Sequence, residues 1–254
     1  MQVSAGLLLF IFLVQTLAFM VKALAGFGDA VVSSPLLALS QMQNEQISPL
    51  ALLLSFPTNL ILTLRNRKHF SFKSCFWLLF FNIAGMVPGM FLLAYSSSGP
   101  LKLGLGVVIV ALGCEMLLRS PEKPVAKSNF AVMGFVVALS GFISGIYGIN
   151  LLFVAYIERT AYNSRGQFRG QVSFIFLIEN TVRIIGYALL GLFTASLLLP
   201  LVVSLLGMLA GLLLGGLLDK RLKETHIRRI IPFTFVLSGL SLLIKALLGL
   251  WGKG

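Results

Sequence analysis

SGIYGIN, at Ser144–Asn150, interrupts a long apolar run, and AGFGD, at Ala25–Asp29, does the same near the start of the chain. Each stretch sets two glycines beside a polar residue, within sequence apolar enough to cross a hydrocarbon core of about 30 Å. Working outward from them, FPTN ending at Asn59 corresponds to LIEN ending at Asn180. GMVPG (Gly85–Gly89) then corresponds to GMLAG (Gly207–Gly211), and LGCEMLL (Leu112–Leu118) to SGLSLLI (Ser238–Ile244). The order is preserved and the offsets drift only between about 120 and 126, which marks a duplicated unit. The first repeat covers residues 1–120 and the second 129–252.

The rest of the 254-residue chain fits a membrane solvent. It is 57% hydrophobic and 11% charged, with a mean hydropathy of +0.96. That leaves too little polar surface for a soluble domain of this length. The net charge of +12 is concentrated rather than spread. Arg65, Arg67, Lys68 and Lys73 form one basic segment; Arg119, Lys123 and Lys127 a second; Arg159, Arg165 and Arg169 a third. Lys220, Arg221, Lys223, Arg228 and Arg229 form the fourth. Short basic loops of this kind orient spanning helices with the loops in the cytoplasm, so a nucleic-acid partner is not expected. Cys75 and Cys114 sit in apolar runs and read as small buried hydrophobes rather than a disulfide. Ala23-Leu24-Ala25 resembles a signal-peptidase site. No Lys or Arg precedes that apolar run, Lys22 interrupts it, and the repeat uses it, so the segment is assigned to the mature protein.

The basic loops give the direction of each helix. Residues 41–46 lack Lys and Arg and read as outside. A helix at 47–64 then runs inward, 74–95 outward and 101–118 inward. In the second half, 170–191 runs outward from the Arg159–Arg169 segment, 196–218 inward and 230–250 outward. Equivalent helices thus point in opposite directions, the inverted-topology plan of many secondary transporters. The expected fold is all-α: two inverted repeats, each a broken or re-entrant helical hairpin followed by three transmembrane helices. The hairpins are 3–40, turning at AGFGD, and 129–158, turning at SGIYGIN. Their second arms, about 12 and 10 residues, suit half-helices, though two full crossings per hairpin also satisfy the loop charges. Both termini are expected outside a bacterial inner membrane.

Glycine permits a helix to break without a side-chain clash, and broken backbone in a bilayer must line a polar cavity or be buried in protein. Each second arm would present its unpaired N–H groups and positive dipole end to an anion. Gly26, Gly28, Gly145 and Gly148, with Tyr147 between the last two, are therefore candidate substrate-binding positions. Close helix packing is the alternative use of such glycines. Arg183 lies about 21 Å along a helix from Arg169, deep in hydrocarbon, where a charge costs at least about 2.5–3.5 kcal/mol. It either binds the anion or forms an ion pair with Glu179, four residues earlier on the same face. Lys22 and Asp29 flank the first turn and either pair or carry protons, with Asn150 in the place of Asp29 in the second turn. Glu179, Asp29 and Lys22 are the candidate coupling groups. Asn59 and Asn180 occupy symmetric depths and either bind an oxyanion or join helices. Pro57 frees a backbone carbonyl two residues before Asn59.

Other polar residues read as structural. Lys102 and Lys245 lie near helix ends and snorkel, Glu115 sits one turn from Arg119, and Trp77 and Trp251 lie near interfaces. His69 and His226 have no neighbouring ligand cluster, so no metal is expected, and no other cofactor is indicated. GxxxxGK[ST], HExxH and GxSxG patterns are missing from the sequence, which gives no basis for ATP hydrolysis or other enzymatic catalysis.

Taken together, AGFGDAVVSSPLLAL, SGFISGIYGINLLFVAYI, the two Asn-bearing helices, the paired GMVPG and GMLAG segments and the terminal LGCEMLL and SGLSLLI segments resemble the TauE/SafE family. These are the sulfite exporter-like membrane permeases, and the resemblance covers essentially the whole chain. It implies export of sulfite or an organosulfonate-type anion across a bacterial inner membrane. The chain departs from the pattern in having fewer consecutive glycines at its turns, and in Asp29, since a carboxylate disfavours an anion unless paired or protonated. The expected mechanism is alternating access around a site of Gly26–Asp29, Gly145–Asn150, Asn59, Asn180 and Arg183. The expected partners are a small anionic substrate and the lipid bilayer. A homo-oligomer is compatible with the sequence, because lipid-facing and partner-facing surfaces look alike. The alternative function is a non-transporting membrane subunit that anchors a partner protein through its basic loops.

Overall fold

The computed structural model describes residues 4–25, 28–40, 42–65, 67, 72–97, 129–150, 153 and 165–219, with scattered positions in 100–114 and residue 240. Seven helices of eight residues or more are fully bounded among them. They are α1 Ala5–Ala25, α2 Asp29–Ala38, α3 Asn44–Arg65, α4 Phe72–Tyr95, α5 Phe130–Tyr147, α6 Arg165–Leu189 and α7 Leu198–Asp219, the last preceded by a 3₁₀ turn at Ala195–Leu197. All but α2 are long and apolar enough to cross a membrane, giving six candidate spans. The chain is an all-helical, multi-pass membrane protein. The expected helix at 101–118 is described only in part; the second arm of the second hairpin, except Phe153, and the helix at 230–250, except Leu240, lie outside the described residues.

The hairpin arms are unequal. Helix α1 has 21 residues and α5 has 18, lengths of about 31 and 27 Å, whereas the 10 residues of α2 reach only about 15 Å. The breaks therefore follow a nearly complete crossing instead of falling halfway through the first arm. Gly28 (φ 100°, ψ 2°) caps the start of α2, and Gly148 (φ 73°, ψ 15°) caps the end of α5, its N–H bonding to the Ser144 carbonyl at 2.9 Å. Both are in the left-handed region, where a Cβ is strained, so these two glycines are needed for the breaks themselves, whereas Gly145 lies within α5 and serves helix packing. At its other end α5 is started by Asn129, whose side chain accepts from the Ala131 N–H at 3.3 Å.

Contacts divide the chain into two compact units, each assembled from both halves of the sequence. The first comprises Met1–Ala51, Ser96–Arg119 and Phe193–Gly254, and the second Leu52–Tyr95 and Ser120–Leu192. In the second unit α4 lies on α5. A Cβ at Gly85 would come within 1.8 Å of the Ala138 carbonyl oxygen, and one at Gly89 within 2.3 Å of that of Phe142. From the other side, Cβ atoms at Gly141 and Gly145 would meet the carbonyl oxygens of Asn82 and Met86 at 2.0 and 2.3 Å. The contacts advance by four residues along both helices in the same sense, so α4 and α5 run parallel. Trp77, near the start of α4, packs edge-on against Phe130, the first residue of α5, at 5.4 Å between ring centres.

In the first unit α1 lies on α7 in the same manner. Cβ atoms at Gly207, Gly211 and Gly215 would fall 2.7, 2.4 and 2.8 Å from the carbonyl oxygens of Phe12, Thr16 and Met20. That too is a parallel pair. Small residues that let backbones touch are how helices associate when lipid is as apolar as their own side chains. Opposite faces remain uncovered, as at Leu206 (57% exposed) and Leu213 (70%) on α7, which suits hydrocarbon and not water.

Candidate functional site

The second unit gathers most of the polar residues picked out by the sequence. Helix α6 carries Glu179, Asn180, Arg183 and Tyr187, all buried although the helix is a membrane span. The turn after α5 approaches them. A Cβ on Gly148 would lie 2.9 Å from Arg183 Nη2, so the guanidinium is pressed against the left-handed turn. Arg183 Nη2 donates to Tyr187 Oη at 3.3 Å, and the guanidinium carbon lies 5.3 Å from the centre of that ring. The Tyr187 hydroxyl donates in turn to the Gly145 carbonyl at 2.7 Å.

A second chain of bonds pins the residues beyond the break. The Phe153 N–H donates to Ser140 Oγ at 3.0 Å, Ser140 Oγ donates to Asn150 Oδ1 at 3.2 Å, and Asn150 Nδ2 donates to Glu179 Oε2. Asn150 is thus held between α5 and α6. The expected alternative of a Glu179–Arg183 ion pair is not what forms. Among the described residues the ion pair within 4 Å is Lys22–Asp29, at 3.0 Å. The spacing on α6 permits the Glu179–Arg183 pair, but the Asn150 amide takes the carboxylate and Tyr187 takes the guanidinium.

Several buried atoms here have no partner: Arg183 Nε, Glu179 Oε1, Asn180 Nδ2 and Ser144 Oγ. Buried polar groups are almost always hydrogen-bonded, and a charged one left open is costly. Arg183 is 3% exposed, with no carboxylate within 4 Å. What the cluster offers chemically is therefore a cation and amide and hydroxyl donors, facing a backbone turn. Asn59 on α3 and Tyr147 at the end of α5 are buried in the same unit.

In the first unit the corresponding turn is closed on itself. Lys22, 3% exposed, pairs with Asp29 and sits 5.6 Å from the centre of the Phe19 ring. Asp29 opens α2 right after Gly28, so the helix start holds one of the chain's own carboxylates, which Lys22 neutralises. Gly26 lies outside the described residues. Breaking a buried pair from one side leaves an uncompensated charge. Lys22→Met is expected to lower stability by about 3–5 kcal/mol, and adding Asp29→Asn to recover most of that loss. Unfolding of the purified variants measures both; a double variant no more stable than the single one contradicts the pairing.

Tyr187 and Ser140 were not among the residues singled out in the sequence. The available signal for Tyr187 is its position one turn after Arg183, but a tyrosine in an apolar helix looks like any other core aromatic. Tyr187→Phe removes the hydroxyl that links the Arg183 guanidinium to the Gly145 carbonyl. A stability loss of about 1–3 kcal/mol is expected, together with weaker substrate binding as Arg183 loses its support. Thermal unfolding and the KM for transport check the two parts separately.

Among the described residues no group of three or more His, Cys, Asp or Glu could hold a metal ion. No similar chain was found among curated proteins or among solved structures. Residues 11–242, nearly the whole chain, match the family described as Sulfite exporter TauE/SafE. With its spanning helices, its left-handed breaks and an unpaired arginine buried beside one of them, the chain belongs to the TauE/SafE sulfite exporter family, a family of membrane transporters.

Proposed function

We propose that this chain exports a small anion, sulfite or an organosulfonate, by alternating access, and that the anion is bound in the second unit. The observation that carries this reading is Arg183: buried, without a carboxylate partner, and lying against the Gly148 turn. An anion there would supply the missing charge and accept from Nε. Asn180 Nδ2 and Ser144 Oγ, both unpaired, are the further donors. Gly145, Tyr147, Gly148 and Asn150 shape the turn, and Asn59 completes the buried polar set. The Lys22–Asp29 pair and the Gly28 break serve the other hairpin, and Glu179 is the carboxyl available for proton coupling. In an inside-negative cell the potential favours outward movement of an anion by about 2.3 kcal/mol per charge per 100 mV.

The test is efflux from proteoliposomes loaded with sulfite, sulfoacetate or taurine, with the membrane potential clamped. Protein-dependent efflux that responds to potential supports the proposal. Folded protein that moves none of the three turns attention to a partner-anchoring role.

The inverted topology, with both termini outside a bacterial inner membrane, is part of the same proposal. Parallel packing supports it, because the basic-loop reading gives α4 and α5 one direction and α1 and α7 the other. Met42 and Gln46 also line one cavity, of about 230 Å³, with Ala195–Pro200, joining two segments assigned to the outside. With Cys75 and Cys114 replaced, Gln43→Cys is expected to label from outside the cell and Arg67→Cys only after permeabilisation. Both positions are exposed. Labelling of both from one side would sink the topology.

A further inference from the structure

Glu179 and Arg183 are each anchored at one atom and open at another. Glu179 Oε2 is held by Asn150 while Oε1 has no partner; Arg183 Nη2 is held by Tyr187 while Nε has none. Both side chains are at least nine-tenths buried, and on one helix face residues four apart have Cβ atoms about 5–6 Å from each other. Two opposite groups at that spacing would ordinarily close on each other, yet they are not within 4 Å. Arg183 thus keeps an open donor and Glu179 an open acceptor. A bare anion satisfies only the first.

We infer that the transported anion carries its own hydrogen-bond donor, and that Glu179 is the specificity-determining acceptor that reads it. The substrate class is a small oxyanion with an N–H or O–H group a few bonds from its charge, such as a hydroxyalkanesulfonate or a protonated inorganic oxyanion. The oxyanion takes Arg183 Nε, and the donor takes Glu179 Oε1. A carboxyl oxygen accepts that bond whether or not the group bears a proton. A site built around a substrate hydrogen bond rejects the analogue lacking it, because its own buried atom is then left unpaired. Among the described residues of the second unit Glu179 is the one carboxyl group.

This inference rests on the anion-transport reading, and one set of proteoliposomes separates the two. Efflux of 2-hydroxyethanesulfonate is compared with that of ethanesulfonate, which has the same charge and carbon chain but no donor. The wild-type protein is expected to prefer the donor-bearing sulfonate by at least about tenfold. In Glu179→Met the preference should fall to about one, whatever the remaining rate. Glu179→Gln, which keeps an acceptor oxygen, should restore it. Equal or reversed rates in the wild type overturn the inference even where Glu179→Met fails to fold, and so does a preference unchanged in Glu179→Met. Efflux of none of the sulfonates, nor of sulfite, overturns the transport reading itself and this inference with it.

Discussion

Replacing Arg183 by glutamine is expected to abolish anion transport while leaving the helices folded and at least as stable as in the parent. The two halves of that result have different causes. Taking away one member of a buried charge contact costs binding about 2–5 kcal/mol, roughly thirty- to several-thousand-fold in affinity. Folding, in contrast, gains. The guanidinium has no carboxylate within 4 Å and keeps an unpaired Nε, so its insertion cost of about 2.5–3.5 kcal/mol is met by a single hydrogen bond and a ring contact. Glutamine removes that cost and still reaches toward Tyr187. Transport assays and thermal unfolding of the same preparation give the answer. Normal flux in Arg183→Gln refutes the assignment, and lost flux with a large drop in stability assigns the arginine to structure.

The second large effect is expected at Gly85. An added methyl would sit 1.8 Å from the Ala138 carbonyl oxygen, and rigid backbone cannot yield to it as a flexible side chain can. Helices α4 and α5 would have to separate, opening at once the contacts at Gly89, Gly141 and Gly145. Overpacking a well-fitted core costs typically about 1–3 kcal/mol; spread along a whole helix pair, Gly85→Ala should reach about 3 kcal/mol or more. Gly216→Ala on α7 is the matched control. Nothing lies within 4 Å of its added Cβ, and alanine is the better helix former by about 1 kcal/mol. Unfolding in mixed detergent would compare them. A Gly85→Ala protein as stable as wild type would contradict the packing.

Four of the six spans were legible as transmembrane helices, and α1 and α5 as the first arms of the broken hairpins, because long apolar runs are a strong signal, as are glycines where the backbone turns left-handed. Helix ends were read less well. Helix α3 starts at Asn44 and α6 at Arg165, three and five residues before the expected points, since a polar extension of a helix has no hydropathy signature. Helix partners were not legible at all. GMVPG and GMLAG were visible as a repeat, but an apolar helix facing lipid and one facing protein have the same composition, so neither segment named its partner. Within the candidate site, the charges at Glu179 and Arg183 stood out because charges are rare in membranes. Their separation did not, because it depends on Asn150, twenty-nine residues away from Glu179, reaching the carboxylate first.

The parallel pairing of α1 with α7 has a consequence for biogenesis. Helix α1 emerges from the ribosome well before its partner, since the glycine face that receives it is made roughly 170 residues later. At synthesis rates of about 5–20 residues per second, that is a wait of roughly 10–35 seconds. During it, α1 carries a lysine into the bilayer, with Asp29 arriving within a turn or two as its escort. The second unit has no such delay, since α4 and α5 follow closely in the chain. Maturation should therefore proceed from the middle of the polypeptide outward. Helix α1 would then be among the last to reach its final neighbours, and would depend on the insertion machinery or surrounding lipid to hold it until α7 arrives.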